Sequence, residues 1–192
     1  MSRRRSPYIQ LVAVAIAALS YFGMKVLQQS GNIPHGAGSG WYVVERVVDG
    51  DTVKLSDGER VRLIGIDTPE LHYSNKLLAD SRRSHKDIET IQGFGMDAKK
   101  YVQSLVFGKR VRLEYDVEKR DAYGRILAYV YLGDGTFVNG KIVRDGYAQT
   151  MTIPPNVKYA DHFLKMQREA REAKRGLWAA ADYDDMLKTA DR

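Results

Sequence analysis

The chain has 192 residues, 44% of them hydrophobic, which suits one folded domain plus an appendage with a sizeable core. The absence of cysteine excludes disulfides and thiolate metal sites and is compatible with an oxidising compartment. The net charge of +6 is concentrated at the start, where Arg3, Arg4, Arg5 and Lys25 precede Trp41 without an acid, so that 26 basic face 24 acidic residues beyond it and bulk charge identifies no partner.

Residues 1–7 form a basic N-terminus. Residues 8–26 follow as an apolar segment, uncharged from Tyr8 to Met24. Those 17 residues sit at the short end of the roughly 17–25 needed to span a bilayer. They are apolar on every face, which argues against a buried core helix. The length favours an uncleaved signal-anchor. A cleaved signal peptide is the rival, because Ala18-Leu19-Ser20 loosely resembles a small-residue cleavage site. The basic flank places Met1 in the cytoplasm and the rest on the non-cytoplasmic side of a single-pass membrane protein. Secretion after cleavage, or an organellar membrane, are the other outcomes. Residues 27–40, rich in Gly and Ser, read as a flexible linker.

The folded domain is expected over 41–178, with 179–192 as a tail. Residues 41–48, 52–55 and 60–66 read as three strands joined by turns at "DGDT" and "SDG". The polar stretch 71–93 reads as a long solvated loop, with Arg82, Arg83, His85 and Lys86 as exposed charges. Ala98, Tyr101, Val102 and Leu105 then fall at helical spacing over 94–106. Residues 109–117 and 125–132 alternate as two more strands. A short helix precedes Gly146, and a longer amphipathic one runs from 159 to Gly176. Five strands with a helix inserted after the third fit a closed Greek-key barrel of the OB type with three helices.

Four motifs carry the chemistry: "VVDGDTVKL", "VRLIGIDTPE", "DAYGRILAYVYL" and "VNGKIVRDGYA". In this order and spacing they resemble the staphylococcal nuclease (thermonuclease) family over residues 41 to 178. The resemblance implies an OB-fold barrel that uses Ca²⁺ to hydrolyse phosphodiester bonds in DNA and RNA, preferring single-stranded or unpaired regions and leaving 3′-phosphate ends. It further implies that Asp51, Asp67 and the carbonyl of Thr68 bind the metal. Arg62 and Arg125 would hold the scissile phosphate, and Glu70 would act on the attacking water. No obligate protein partner is implied; a lipid bilayer is the expected partner of the N-terminal helix.

The residue types suit that chemistry. Ca²⁺ takes roughly six to eight hard oxygen ligands, with water completing the shell. Phosphoryl transfer gathers negative charge that a cation and planar guanidinium groups can hold. Strict alternation sends Arg62 and Asp67 to opposite faces of a strand, so the two can meet only if the chain turns at Gly65. Asp49 reads as a structural turn group. Tyr123, next to Arg125, is a candidate phosphate contact. Where the family's best-known members have tyrosines after the second helix, one of which stacks on a base, Thr152 and Pro154 stand near those places. Tyr159 is the candidate substitute. The rival reading is a non-catalytic OB-type module that binds nucleic acid or protein while tethered to a membrane. It has no use for three acids and two arginines together.

Overall fold

The computed structural model describes residues 40–72, 74–84, 88–180 and 183. The basic N-terminus, the 8–26 segment, the linker up to residue 39, His85, Lys86 and most of the 179–192 tail lie outside the described residues, as does the Arg83 side chain. Among the described residues no helix is long and apolar enough to cross a membrane.

Strands β1 (Trp41–Asp49), β2 (Thr52–Leu55) and β3 (Arg60–Leu63) form a meander. Strand β3 then pairs in parallel with β6 (Ile126–Leu132), which pairs with β5 (Arg110–Glu114). Pairing of β5 with β1 closes the barrel in the order β1-β2-β3-β6-β5. Alternate residues are buried in it: Val53 and Leu55, Val61 and Leu63, Val111 and Leu113, Ala128 and Val130. In β1 the buried Val44 and Val47 are three apart, because the register with β2 shifts twice along the strand.

The expected third strand, 60–66, is in fact two. It leaves the barrel after Leu63, and β4 (Gly65–Asp67) pairs instead with β7 (Gln149–Met151), a strand absent from the sequence reading. The break falls at Gly65, whose φ is +82°. Only glycine enters that region freely. A Cβ there would also lie 2.3 Å from the Phe163 ring, so the position is closed to side chains. The buried Asn139 secures the break. Its amide donates to the carbonyls of Ile64 (2.9 Å) and Ala128 (3.4 Å), and its oxygen accepts from the N–H of Val130 (2.9 Å).

Helices number four rather than three among the described residues: α1 (Asn75–Ser84), α2 (Ile88–Val106), α3 (Val138–Arg144) and α4 (Ala160–Glu172), followed by a 3₁₀ turn, Gly176–Ala179. The stretch expected to be a solvated loop thus holds α1 and the start of α2. Helix α1 has few apolar residues, only Leu77, Leu78 and Ala79. Its burial centres on Leu77, whose N–H is capped by Ser74 Oγ at 3.0 Å. Helix α2 begins six residues before 94 because Ile91 and Gly95 extend its buried stripe through Ala98, Val102 and Val106. Helix α4 ends at Glu172, and Gly176 opens the 3₁₀ turn rather than stopping the helix. Leu77, Ile91, Ala98, Ala170, Leu177, Trp178 and Tyr183 form a second core beside that of the barrel.

Candidate active site

The β1–β2 turn carries Asp51, 8% exposed. Its Oδ1 accepts from the hydroxyl of Thr52 (3.0 Å), and its Oδ2 accepts from both the N–H and the hydroxyl of Thr68 (3.3 Å each). Thr68 packs directly over Gly50, where a Cβ would come within 2.7 Å of its methyl group. A turn glycine and a buried threonine thereby bring the β1–β2 turn against the segment that follows β4.

Arg62, on β3, lies between the two aspartates. One terminal nitrogen is 2.8 Å from Asp51 Oδ2, and the other is 3.1 Å from Asp67 Oδ1. It also donates to the carbonyl of Ile66 at 3.0 Å. The turn at Gly65 therefore brings Arg62 and Asp67 together despite their odd spacing. Asp67, 5% exposed, accepts on Oδ2 from the side chain of Gln149 at 3.3 Å. Glu70 is half-buried three residues further on. Its backbone is held against α2, where a Cβ at Gly95 would lie 2.8 Å from the carbonyl of Pro69 and 3.0 Å from that of Glu70.

Arg125 opens onto the same region from the loop before β6. Asp121 fixes it, accepting from its Nε at 2.7 Å and from its backbone N–H at 2.9 Å. A terminal nitrogen of Arg125 reaches the hydroxyl of Thr52 at 3.5 Å, which links Arg125 to Asp51 through one side chain. Tyr123 is 86% exposed, and the Arg125 guanidinium lies 5.6 Å from its ring centre. Arg62 and Arg125 line one cleft of about 280 Å³ together with Asp121, Tyr123, Met151 and Ile153. Thr152 and Pro154 are exposed, and neither lines the cleft; their neighbours Met151 and Ile153 do. Tyr159 does not line it either. Its hydroxyl donates to Glu114 at 2.8 Å, and its ring packs on Tyr129.

Burial and Arg62 set the electrostatics of these aspartates. Burial, reinforced by the charge of Asp51, raises the Asp49 carboxyl to about 7. Two carboxylates ~5 Å apart repel by about 3 kcal/mol at an effective dielectric near 20, and Arg62, in contact with both Asp51 and Asp67, offsets that repulsion. The Arg62 guanidinium stands in as the cation between Asp51 and Asp67. Carboxylate oxygens are hard donors of the kind Ca²⁺ takes, with carbonyl and water oxygens completing its shell. Among the described residues no three His, Cys, Asp or Glu side chains gather as a metal cluster. At Asp121 burial raises the carboxyl, but the hydrogen bonds from Arg125 outweigh it and the net shift is downward.

Sequence reasoning did not find Thr52, Asp121, Gln149 or Asn139. Asp121 had a signal, an Asp four residues before an Arg across a Tyr-Gly turn. Gln149 and Asn139 had none, since their partners are distant in sequence.

A closed five-stranded barrel with helices and a cleft between two fixed arginines defines an OB-type barrel. The profile of the staphylococcal nuclease homologues matches residues 60–180. The thermonuclease of Staphylococcus intermedius is 41% identical over 140 residues, covering 71% of this chain and 75% of that protein. The thermonuclease of Staphylococcus hyicus is 32% identical over 173 residues, covering 86% and 94%. Endonuclease YncB of Bacillus subtilis is 33% identical over 164 residues, covering 81% and 71%. The chain belongs to the staphylococcal nuclease homologues and is a nuclease, an enzyme that cleaves phosphodiester bonds.

Proposed function

We propose that the chain is a Ca²⁺-dependent endonuclease acting on DNA and RNA, with preference for single-stranded regions and 3′-phosphate products. The observation that carries this reading is the convergence of Arg62 and Arg125 on one cleft, with Asp51 and Asp67 in contact with Arg62. Arg125 is pinned through Nε and its backbone, which aims its terminal nitrogens at the cleft. It binds two non-bridging oxygens of the scissile phosphate. Arg62, on the strand paired with β6, would join it once the ion takes over the two carboxylates that hold its terminal nitrogens. Asp51, Asp67 and the carbonyl of Thr68 would hold the ion, which when bound would supply positive charge at the phosphoryl oxygens.

Glu70 orients a water molecule and takes its proton as the oxygen attacks phosphorus. The bond to the 5′-oxygen breaks, the phosphate stays on the 3′-oxygen, and the leaving oxygen acquires a proton from solvent. Tyr123 hydrogen-bonds the phosphate, while Met151 and Ile153 offer an apolar wall to a neighbouring base. That wall lacks aromatic stacking, and Tyr159, tied to Glu114, serves it only after changing partners. The experiment is end-group analysis of a cleaved single-stranded oligonucleotide. Products with 3′-phosphate and 5′-hydroxyl ends are expected, and 5′-phosphate ends would overturn the assigned bond cleavage.

The 8–26 segment is proposed to remain as an anchor with the nuclease domain on the non-cytoplasmic side. Full-length protein should then resist carbonate extraction from membranes. Soluble mature protein starting near Tyr21 would establish a secreted form instead.

A further inference from the structure

The outer face of β1, β5 and β6 carries a group of side chains that the cleft does not use. Cross-strand pairing places Trp41 opposite Arg112, Arg112 opposite Tyr131, and Val43 opposite Arg110. The Arg110 guanidinium lies 5.5 Å from the Trp41 ring centre and that of Arg112 lies 4.6 Å from the Tyr131 ring centre. Trp41 is 45% and Val43 39% exposed, and Lys109 adds a third positive charge beside them.

These arginines differ from those at and near the cleft in what they touch. Arg62, Arg120 and Arg125 each meet a carboxylate, whereas Arg110 and Arg112 have no carboxylate partner among the described residues. A guanidinium stacked on a ring presents its face to the ring and keeps its edge N–H donors available. Arg110 and Arg112 are two positions apart on β5, about 7 Å at ~3.3 Å per residue. That is the scale of one nucleotide step in an extended single strand. None of Trp41, Val43, Arg110, Arg112 or Tyr131 lines the cleft, and Tyr131 is six positions along the chain from Arg125, about 20 Å on the same rise.

We propose that this face is a second binding surface for single-stranded stretches of the polynucleotide substrate, on which Arg110 and Arg112 hold backbone phosphates and the open side of Trp41 stacks a base. The identity of the ligand rests on the nuclease reading; the surface does not. Charge complementarity favours a polyanion, and paired guanidinium groups beside an exposed indole match the stacking-plus-phosphate recognition of extended strands. The surface would retain a long substrate between cleavages, and a dinucleotide could not reach it.

The test uses the full-length chain, its Arg110→Gln/Arg112→Gln variant and its Trp41→Ala variant. Binding of a single-stranded oligonucleotide of about 20 nucleotides, longer than the ~4–16 that one such barrel covers, is compared with hydrolysis of a dinucleotide. Each variant should bind the long strand roughly fivefold or more weakly. The double variant should also lower the slope of log Kd against log salt by about 1.4, at ~0.7 per phosphate contact. Dinucleotide hydrolysis should be unchanged, which also certifies the fold. A second readout is acrylamide quenching: Trp178 is buried and Trp41 exposed, so the long strand should shield the quenchable fluorescence and the dinucleotide should not. Unchanged binding and salt slope in both variants would overturn the proposal. So would shielding of Trp41 by phosphatidylglycerol vesicles but not by the oligonucleotide, which would make the face lipid-directed. Failure of the wild type to cleave either the long strand or the dinucleotide with Ca²⁺ present would instead overturn the proposed Ca²⁺-dependent reading, while the binding comparison still decides the surface.

Discussion

Arg62 and Arg125 are held in different ways, and the difference sets what substitution should do. Carboxylates grip Arg62 through both terminal nitrogens, whereas Asp121 grips Arg125 through Nε and leaves the outer edge toward the cleft. Lysine keeps the charge at either place but has no planar fork. Arg125→Lys and Arg62→Lys should each lower kcat by about 10²-fold or more with a smaller change in KM, because the fork matters most when the phosphoryl oxygens carry extra charge. Steady-state kinetics on a short oligonucleotide reads this, and near-wild-type kcat in both variants would remove the clamp.

Asp121 gives a pH prediction. Its folded carboxyl titrates below the ordinary carboxylate value, so its stabilisation is complete above an unfolded pKa of about 3.9 and is lost as pH falls through the lower folded value. Asp121→Asn should therefore cost stability at neutral pH, and the gap from wild type should close in acid. Urea unfolding at pH 7 and pH 3 measures both. At this scale the residues proposed for metal and phosphate could be named because they sit in short motifs. Gln149, 82 positions from Asp67, had no local signal.

Elements were legible where hydrophobic period was strong. The five barrel strands and α4 followed from alternation and from an apolar stripe. Helix α1 was hidden because one leucine anchors it, and the start of α2 was hidden by Gly93 and Gly95, which weaken helix propensity. Gly95 also explains why that cost persists. The helix passes so close to Pro69 and Glu70 that any Cβ would strike their backbone. Gly→Ala inside a helix normally stabilises by up to about 1 kcal/mol. Gly95→Ala should instead destabilise, and it should displace Glu70 enough to slow turnover. Thermal unfolding together with kcat tests this, and a more stable, fully active variant would contradict the packing. The split of the third strand was half legible. Gly65 was the expected point of turning, but the partner strand β7 and the brace from Asn139 come from parts of the chain that no local pattern connects to it.

Across the whole molecule, the near balance of charge beyond Trp41 hides two uneven regions. Two buried aspartates share Arg62 beside the cleft, and Arg110 and Arg112, with no carboxylate partner among the described residues, line the outer face of β5. Net charge could not reveal either one, since each depends on which residues the barrel brings together. The acid-rich region states the central claim, that Asp51 and Asp67 form the seat of a cation on which hydrolysis depends. The direct measurement is hydrolysis of a single-stranded oligonucleotide by wild type and Asp67→Ala as Ca²⁺ is titrated into chelator-treated protein, with thermal unfolding as a control for fold. The account predicts no hydrolysis in chelator, recovery with Ca²⁺ but poor recovery with Mg²⁺, and a steeply raised Ca²⁺ requirement in the variant without loss of the folded state. Full activity of the chelated wild type, or an unchanged Ca²⁺ requirement in Asp67→Ala, would contradict it.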